Sequence, residues 1–270
     1  MKRSGQNIKV YFYVYKMQIL KSLAYKFDVY GNILMQTILM IANAFFWRAL
    51  FRNAENVEGV TVDTMLTYTV VSSMISVILT TNVERRITTD VRKGTIAIDM
   101  MRPVNIFSVF FAENLGNVTA LLFQNLLPVF VIGSVLIKLP VPASLPGALL
   151  FLCSLVLAFL INWLIAVIFG MWAFSIIEMD ALIQVKKHLI RLLSGSIIPI
   201  WFFPEPLRSV LEALPFVYLY QMPLDLYIGK YTEASLIRGF AVQIFWAAGL
   251  FAVYLWLQRR VTAKVMIQGG

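Results

Sequence analysis

The sequence predicts an all-α integral membrane protein that crosses the bilayer six times, and three observations carry that expectation. Of its 270 residues, 60% are hydrophobic and 14% charged, against roughly 45–50% and about 25% in an ordinary soluble domain. The apolar residues gather into runs close to the ~20 helical residues that a bilayer core of ~30 Å requires. The charges fall between those runs, and basic residues are dense in alternate segments, as they are when successive loops lie on opposite sides of a membrane. Residues 1–270 read as a single transmembrane domain.

In the first segment Lys2, Arg3, Lys9, Lys16, Lys21 and Lys26 interrupt what would have to be the apolar core of a cleavable signal, so the chain is expected to begin near Met1. Tyr11, Phe12, Tyr15, Ile19 and Leu23 fall at helical spacing, with Lys9 and Lys16 on another face. This predicts an amphipathic helix over 6–24 lying in the membrane interface. The first span covers about 27–50. Within it Asn32, Gln36 and Asn43 recur near the helical period, a polar stripe that faces either neighbouring helices or a pathway. A polar loop with Glu55, Glu58 and Asp63 leads to a shorter second span, about 64–82, whose Ser and Thr hydroxyls can bond back to their own helix.

The stretch 83–104 is the longest charged interruption between two apolar runs. It holds Glu84, Arg85, Arg86, Asp90, Arg92, Lys93, Asp99 and Arg102, while Ile87 and Val91 lie four apart as on one helix face. Gly94 suits a helix C-cap, Thr95 an N-cap for a second turn, and Pro103 ends that turn. Two short helices on a membrane surface are expected.

The third span, about 105–137, exceeds one perpendicular crossing and contains Glu113, Asn114, Gly116, Asn117, Gln124, Asn125 and Pro128. A tilted, kinked or partly broken helix fits it better than a straight one. Glu113 either lines a pathway or reaches the interface from its end of the span. A turn with Pro140, Pro142 and Pro146 precedes the fourth span, about 147–177, after which Glu178, Asp180, Lys186, Lys187 and His188 mark a return to water. The fifth apolar run, about 187–203, is too short to cross comfortably. Pro204, Pro206 and Pro215 then punctuate a short amphipathic helix carrying Arg208 and Glu212. The pattern over 195–227 reads as a truncated span plus a half-helix folded back into the outer surface, which must be covered by partner helices because exposed backbone at that depth is costly. Gln221 to Arg238 reads as polar, and the sixth span, about 239–258, is followed by Arg259, Arg260 and Lys264.

With the N-terminus inside, 17 of the 23 basic residues fall on the cytoplasmic face, which fixes the orientation and places both termini and the 83–104 stretch in the cytoplasm. Topology and anionic lipid account for the net charge of +9, so nucleic acid is not an expected partner. One cysteine, Cys153, and one histidine, His188, stand in different segments, which argues against a metal site or a Cys/His nucleophile. No G-x-x-x-x-G-K-[ST] loop occurs, and no pair of acids with a base stands where catalysis could be argued. No catalytic residue is expected.

One more pattern emerges from the order of segments: amphipathic helix, two spans, then Glu84-Arg85-Arg86 through Gly94-Thr95-Ile96 to Arg102-Pro103, two spans, then Ser194-Gly195-Ser196-Ile197-Ile198-Pro199, Phe202-Phe203-Pro204 and Leu214-Pro215-Phe216. This resembles the permease subunit of a bacterial type 2 ABC exporter, of the branch that pairs two different six-span permeases with a separate ATPase. The resemblance covers nearly the whole chain. It implies that 83–104 is a coupling helix docking on the ATPase through Glu84, Arg85, Arg86, Ile87, Asp90, Val91, Arg92, Gly94 and Thr95. It implies two ATPase subunits that bind ATP and Mg, none bound by this chain, a second permease, identical or paralogous, and a multi-pass location in the inner membrane. Gln36, Asn43, Glu113 and Asn117 are candidate pathway residues; Pro199, Phe203, Pro204 and Pro215 mark the outward re-entrant segment. The alternatives are a sodium or antimicrobial-peptide extruder on the same scaffold and an intramembrane transferase, for which a cluster of His, Asp or Glu at a membrane face would be required.

Overall fold

The computed structural model describes residues 2–24, 26–52, 59–137, 144–176 and 178–268. Of the polar loop expected over 48–63, residues 53–58 lie outside the described residues, as do 138–143 of the proline turn expected over 138–146. All regular structure among the described residues is helical: α1 (Lys2–Ala24), α2 (Lys26–Leu50), α3 (Val62–Ile78), α4 (Val83–Arg92), α5 (Thr95–Met100), α6 (Ile106–Leu121), α7 (Leu127–Ile137), α8 (Leu145–Met171), α9 (Asp180–Leu193), α10 (Glu205–Ala213), α11 (Val217–Ile228) and α12 (Glu233–Gln268). Among the described residues five stretches have the length and hydropathy to cross a membrane: Val29–Leu50, Val62–Arg92, Ile106–Ser134, Leu145–Phe174 and Glu233–Ala263.

The apolar run 187–203 is not a sixth such helix. α9 stops at Leu193, Gly195 takes φ +81°, a left-handed conformation that ends a helix, and Pro199 offers no N–H to resume one. The chain continues as an irregular segment, a single 3-10 turn at Ile200–Phe202, and the short helices α10 and α11. The expectation of a polar Gln221–Arg238 also fails, because α11 buries Gln221, Met222, Leu224 and Leu226.

The break expected in the long third span is a π turn at Leu122–Leu126. Pro128 follows it; its missing N–H removes a rung from the helical ladder, and a wider turn accommodates the loss.

α8 is the central helix. Ser144 caps it, its hydroxyl accepting from the Gly147 N–H at 3.0 Å. On one side its Ala158 and Ile161 join Trp47, Met65, Tyr68, Ile75, Leu219 and Leu224 in a core built with α2, α3 and α11. Further along, Trp163, Val167 and Met171 join Ile87, Phe107, Phe110 and Tyr254 from α4, α6 and α12. Trp163 meets Phe111 edge-on, with ring centroids 4.9 Å apart. Buried Gln243 ties three helices at once, donating to the Ser154 and Tyr218 carbonyls at 2.8 and 3.0 Å.

α1 lies along α6. Its Tyr11, Val14, Tyr15, Gln18, Ile19 and Ser22 are half-buried at helical spacing. A Cβ on Gly116 would sit 2.5 Å from the Tyr15 carbonyl, so only glycine permits the approach. Tyr15 donates to Thr119 at 3.2 Å and Ser22 to Asn117 Oδ1 at 3.1 Å. The opposite face of α1, with Ile8, Phe12, Tyr13, Met17 and Leu20, remains exposed.

Candidate functional site: a hydroxyl-lined groove and the helix beneath it

α3 carries Thr69, Ser72, Ser73 and Ser76 on one stripe, which Thr80 continues just past its end. Several of these hydroxyls satisfy themselves on their own helix: Thr69 donates to the Met65 carbonyl at 3.0 Å, Ser73 to Thr69 at 2.9 Å and Thr80 to Ser76 at 3.0 Å. The stripe faces a groove of about 610 Å³ that also takes in Gln36 and Asn43 of α2, Asn162 of α8, Lys186, Lys187 and Arg191 of α9, and Ser196 and Ile197. Gln36 Oε1 is buried without a hydrogen-bond partner among the described residues. Asn43 Nδ2 donates to the Leu39 carbonyl at 2.9 Å. The carbonyls just past the end of α3, which have no helical partner, are met by side chains: Asn162 Nδ2 reaches Leu79 O at 2.6 Å and Asn114 Nδ2 reaches Thr80 O at 3.3 Å.

The upper wall of the groove is fixed to α3 and α11. Tyr68 Oη lies 2.5 Å from the Gly195 carbonyl and 2.9 Å from Gln221 Oε1, and the same Gln221 oxygen accepts from the Ile200 N–H at 2.9 Å. Gln221 Nε2 donates to Asp225 at 2.8 Å, and Ser72 donates to the Ser196 carbonyl at 2.8 Å. The irregular segment 194–200 is thus held by hydrogen bonds rather than by helical repeats.

Below the groove, α4 and α9 run side by side in opposite directions. Lys186 Nζ contacts Glu84 Oε1 at 2.9 Å near the start of α4, and Arg92 contacts Asp180 at 2.9 Å near its end. Glu84 is fully buried and Lys186 nearly so. The other face of α4 packs on α8 at Gly170, where a Cβ would come within 2.8 Å of Ile87 Cδ1 and 3.1 Å of Glu84 Cα.

These contacts sort the residues of the charged stretch. Arg85, Arg86, Arg92, Lys93, Gly94 and Thr95 are exposed, Val91 is half-buried and Asp90 is buried, paired with Arg86 at 3.0 Å. Glu84 and Ile87, read from sequence as contacts for a partner, both face this chain's own core. The reason is amphipathicity: Val83, Glu84, Ile87 and Thr88 share the buried face of α4, and Glu84 tolerates it because Lys186 pairs with it. Gly94 does end α4, at φ +70° in the left-handed region. Thr95 is not the cap of the next helix but its first residue, with its hydroxyl donating to the Asp90 carbonyl at 3.4 Å. Ile98 and Met101, 63% and 86% exposed on and just after α5, are the apolar residues the stretch presents outward. Their three-residue spacing, on the face opposite Ile96, was the available signal.

The four pathway candidates separate into two places. Gln36 and Asn43 line the groove, whereas Glu113 and Asn117 line a different cleft of about 230 Å³ between α1, α4 and α6. Of the re-entrant candidates, Pro199 precedes the Ile200–Phe202 turn, Pro204 caps α10, Pro215 turns the chain into α11, and Phe203 packs beside Leu211 and Tyr218. No group of three or more His, Cys, Asp or Glu able to hold a metal occurs among the described residues.

A family model described as ABC-2 family transporter protein matches residues 37–269. The chain belongs to that family. Among curated proteins none matches it. The ABC-2 family assignment makes this a multi-pass membrane protein and a permease component of a transporter.

Proposed function

We propose that the chain is the permease subunit of an ATP-driven exporter, supplying half of a translocation pathway to a dimer with a second permease, identical or paralogous. The observation that carries this reading is the groove: a polar, hydroxyl-rich wall within an otherwise apolar helical body, ending directly above the α4–α9 pair. Hydroxyls already bonded to their own helix offer a surface that wets a passing polar group without holding it tightly. ATP and Mg belong to two separate ATPase subunits, and the α4–α5 face, with Arg85, Lys93, Ile98 and Met101 outermost, is their docking surface.

In this reading the protein sits in the bacterial inner membrane with both termini in the cytoplasm. Residues 6–24 lie at the cytoplasmic interface, 83–104 form the coupling segment and 195–227 the outward re-entrant segment; α9 with the 194–203 segment stands in for a sixth crossing. The mechanical route follows the ion pairs. A displacement of α4 moves Glu84 and Arg92, hence Lys186 and Asp180, hence the rigid α9 rod, whose far end is the hydrogen-bonded segment 194–200 on the groove wall.

The test is purification from the native membrane in mild detergent, with identification and stoichiometry of the proteins retained. An ABC ATPase at about one copy per permease chain is the expected result. Reproducible recovery of the folded chain by itself overturns the proposal.

A further inference from the structure

Glu113 is the acid that the groove leaves unused. It lies on α6 where two clefts meet, one of about 230 Å³ and one of about 760 Å³, which share Gln18, Lys21, Arg86 and Glu113. The inner cleft ends on Asn82, Asn114 and Asn117, and the amide oxygen of Asn114, 8% exposed, has no hydrogen-bond partner among the described residues. The outer cleft runs along Val10, Tyr13, Val14, Met17 and Leu20 of α1. One continuous cavity is therefore polar and charged at one end and apolar along the other.

Glu113 makes no hydrogen bond, and no ion pair within 4.0 Å, to any described residue. The cations that line the same two clefts are Arg86 and Lys21. Arg86 is held through its Nε by Asp90 at 3.0 Å, while Glu113 and Lys21 face the gap without an ion pair among the described residues. An anionic headgroup alone would meet the Glu113 carboxylate, and a cationic one alone would meet Lys21 and Arg86. A zwitterion satisfies both.

We propose that this cleft binds a phospholipid with a primary-amine headgroup, drawn from the surrounding bilayer. Its phosphate lies between Lys21 and Arg86, its ammonium donates to the Glu113 carboxylate, and an acyl chain follows the apolar face of α1. The site joins α1, α4 and α6, so its occupant braces the N-terminal helix against the charged stretch. It depends on the chain being a membrane protein and not on the export reading.

The experiment is lipid competition on the full-length purified chain by native mass spectrometry. The probes are phosphatidylethanolamine, its mono- and dimethylated forms, phosphatidylcholine and phosphatidylglycerol, all with identical acyl chains. Phosphatidylethanolamine is expected to bind roughly tenfold more tightly than phosphatidylcholine or phosphatidylglycerol, the effect of one charge-assisted hydrogen bond, with stepwise loss on methylation. Glu113→Gln is expected to bring the three headgroups within about twofold of one another, while Lys21→Ala weakens all of them. Equal retention of the three lipids by the wild-type chain overturns the proposal without any variant. So does a preference for phosphatidylglycerol, or an unchanged preference in Glu113→Gln.

Discussion

Lys186 Nζ rests 2.9 Å from Glu84 Oε1, with 6% and 0% of the two side chains exposed, so that α9 and α4 are joined by an ion pair shielded from water. Such a pair resists disturbance for a specific reason. Removing one partner strands the other charge in a poorly solvated site, which costs about 3–5 kcal/mol, whereas removing both leaves no stranded charge. Lys186→Met is therefore expected to lower the thermal midpoint sharply, and Lys186→Met combined with Glu84→Gln to recover much of the loss. Additive losses in the double variant would show that the pair does not couple the two helices.

The groove wall depends on Gly195 for two independent reasons. Its φ of +81° strains any L side chain, and a Cβ there would lie 2.4 Å from Gln221 Oε1, displacing the amide that holds both Tyr68 and Ile200. Gly195→Ala is expected to cost at least about 1–3 kcal/mol, read as a fall in thermal midpoint. Gly249→Ala is the control. Nothing lies within 4 Å of a Cβ at that position in α12, and the exchange is expected to be neutral or to stabilise by up to about 1 kcal/mol.

Gly170 makes a different point, about approach rather than conformation. Gly170→Val places a branched side chain where Ile87 Cδ1 already lies 2.8 Å from a single Cβ, so α4 must lift from α8. The expected outcome is a folded chain with a lower thermal midpoint and loss of coupled ATP hydrolysis. A wild-type midpoint together with wild-type coupling in this variant would mean that α4 does not move.

Much of this arrangement was legible in the sequence, because hydropathy and helical periodicity act over short distances. The charged stretch, its left-handed Gly94, the broken third span and the proline punctuation before α11 all follow from local chemistry. What was not legible depends on partners far along the chain. Glu84 reads as a surface acid until Lys186 is placed beside it, 102 residues later. Gln221 reads as the start of a polar segment until Tyr68, 153 residues earlier, is found hydrogen-bonded to it. Glu113 and Gln36 looked like members of one polar pathway, yet the packing of α1 on α6 gives Glu113 a cleft of its own.

Ile87 and Ile98 separate folding from docking. Ile87 is fully buried, so Ile87→Ala is expected to cost roughly 2–5 kcal/mol of stability through the cavity left against α8. Ile98→Glu, at an exposed position, is expected to change stability by less than about 0.5 kcal/mol while reducing ATPase recovery on purification. A stable Ile87→Ala or an Ile98→Glu chain that retains its ATPase would contradict this assignment of faces.

The most direct measurement places a photoreactive amino acid at position 98 or 101, and separately at position 185, an exposed site on α9, in cells that express the chain at native level. Irradiation is predicted to capture an ABC ATPase at 98 and 101 and to give a weaker product or none at 185. Capture of that ATPase at 185 alone, or an ATPase that purifies with the chain yet cross-links at neither 98 nor 101, would contradict docking on the α4–α5 face.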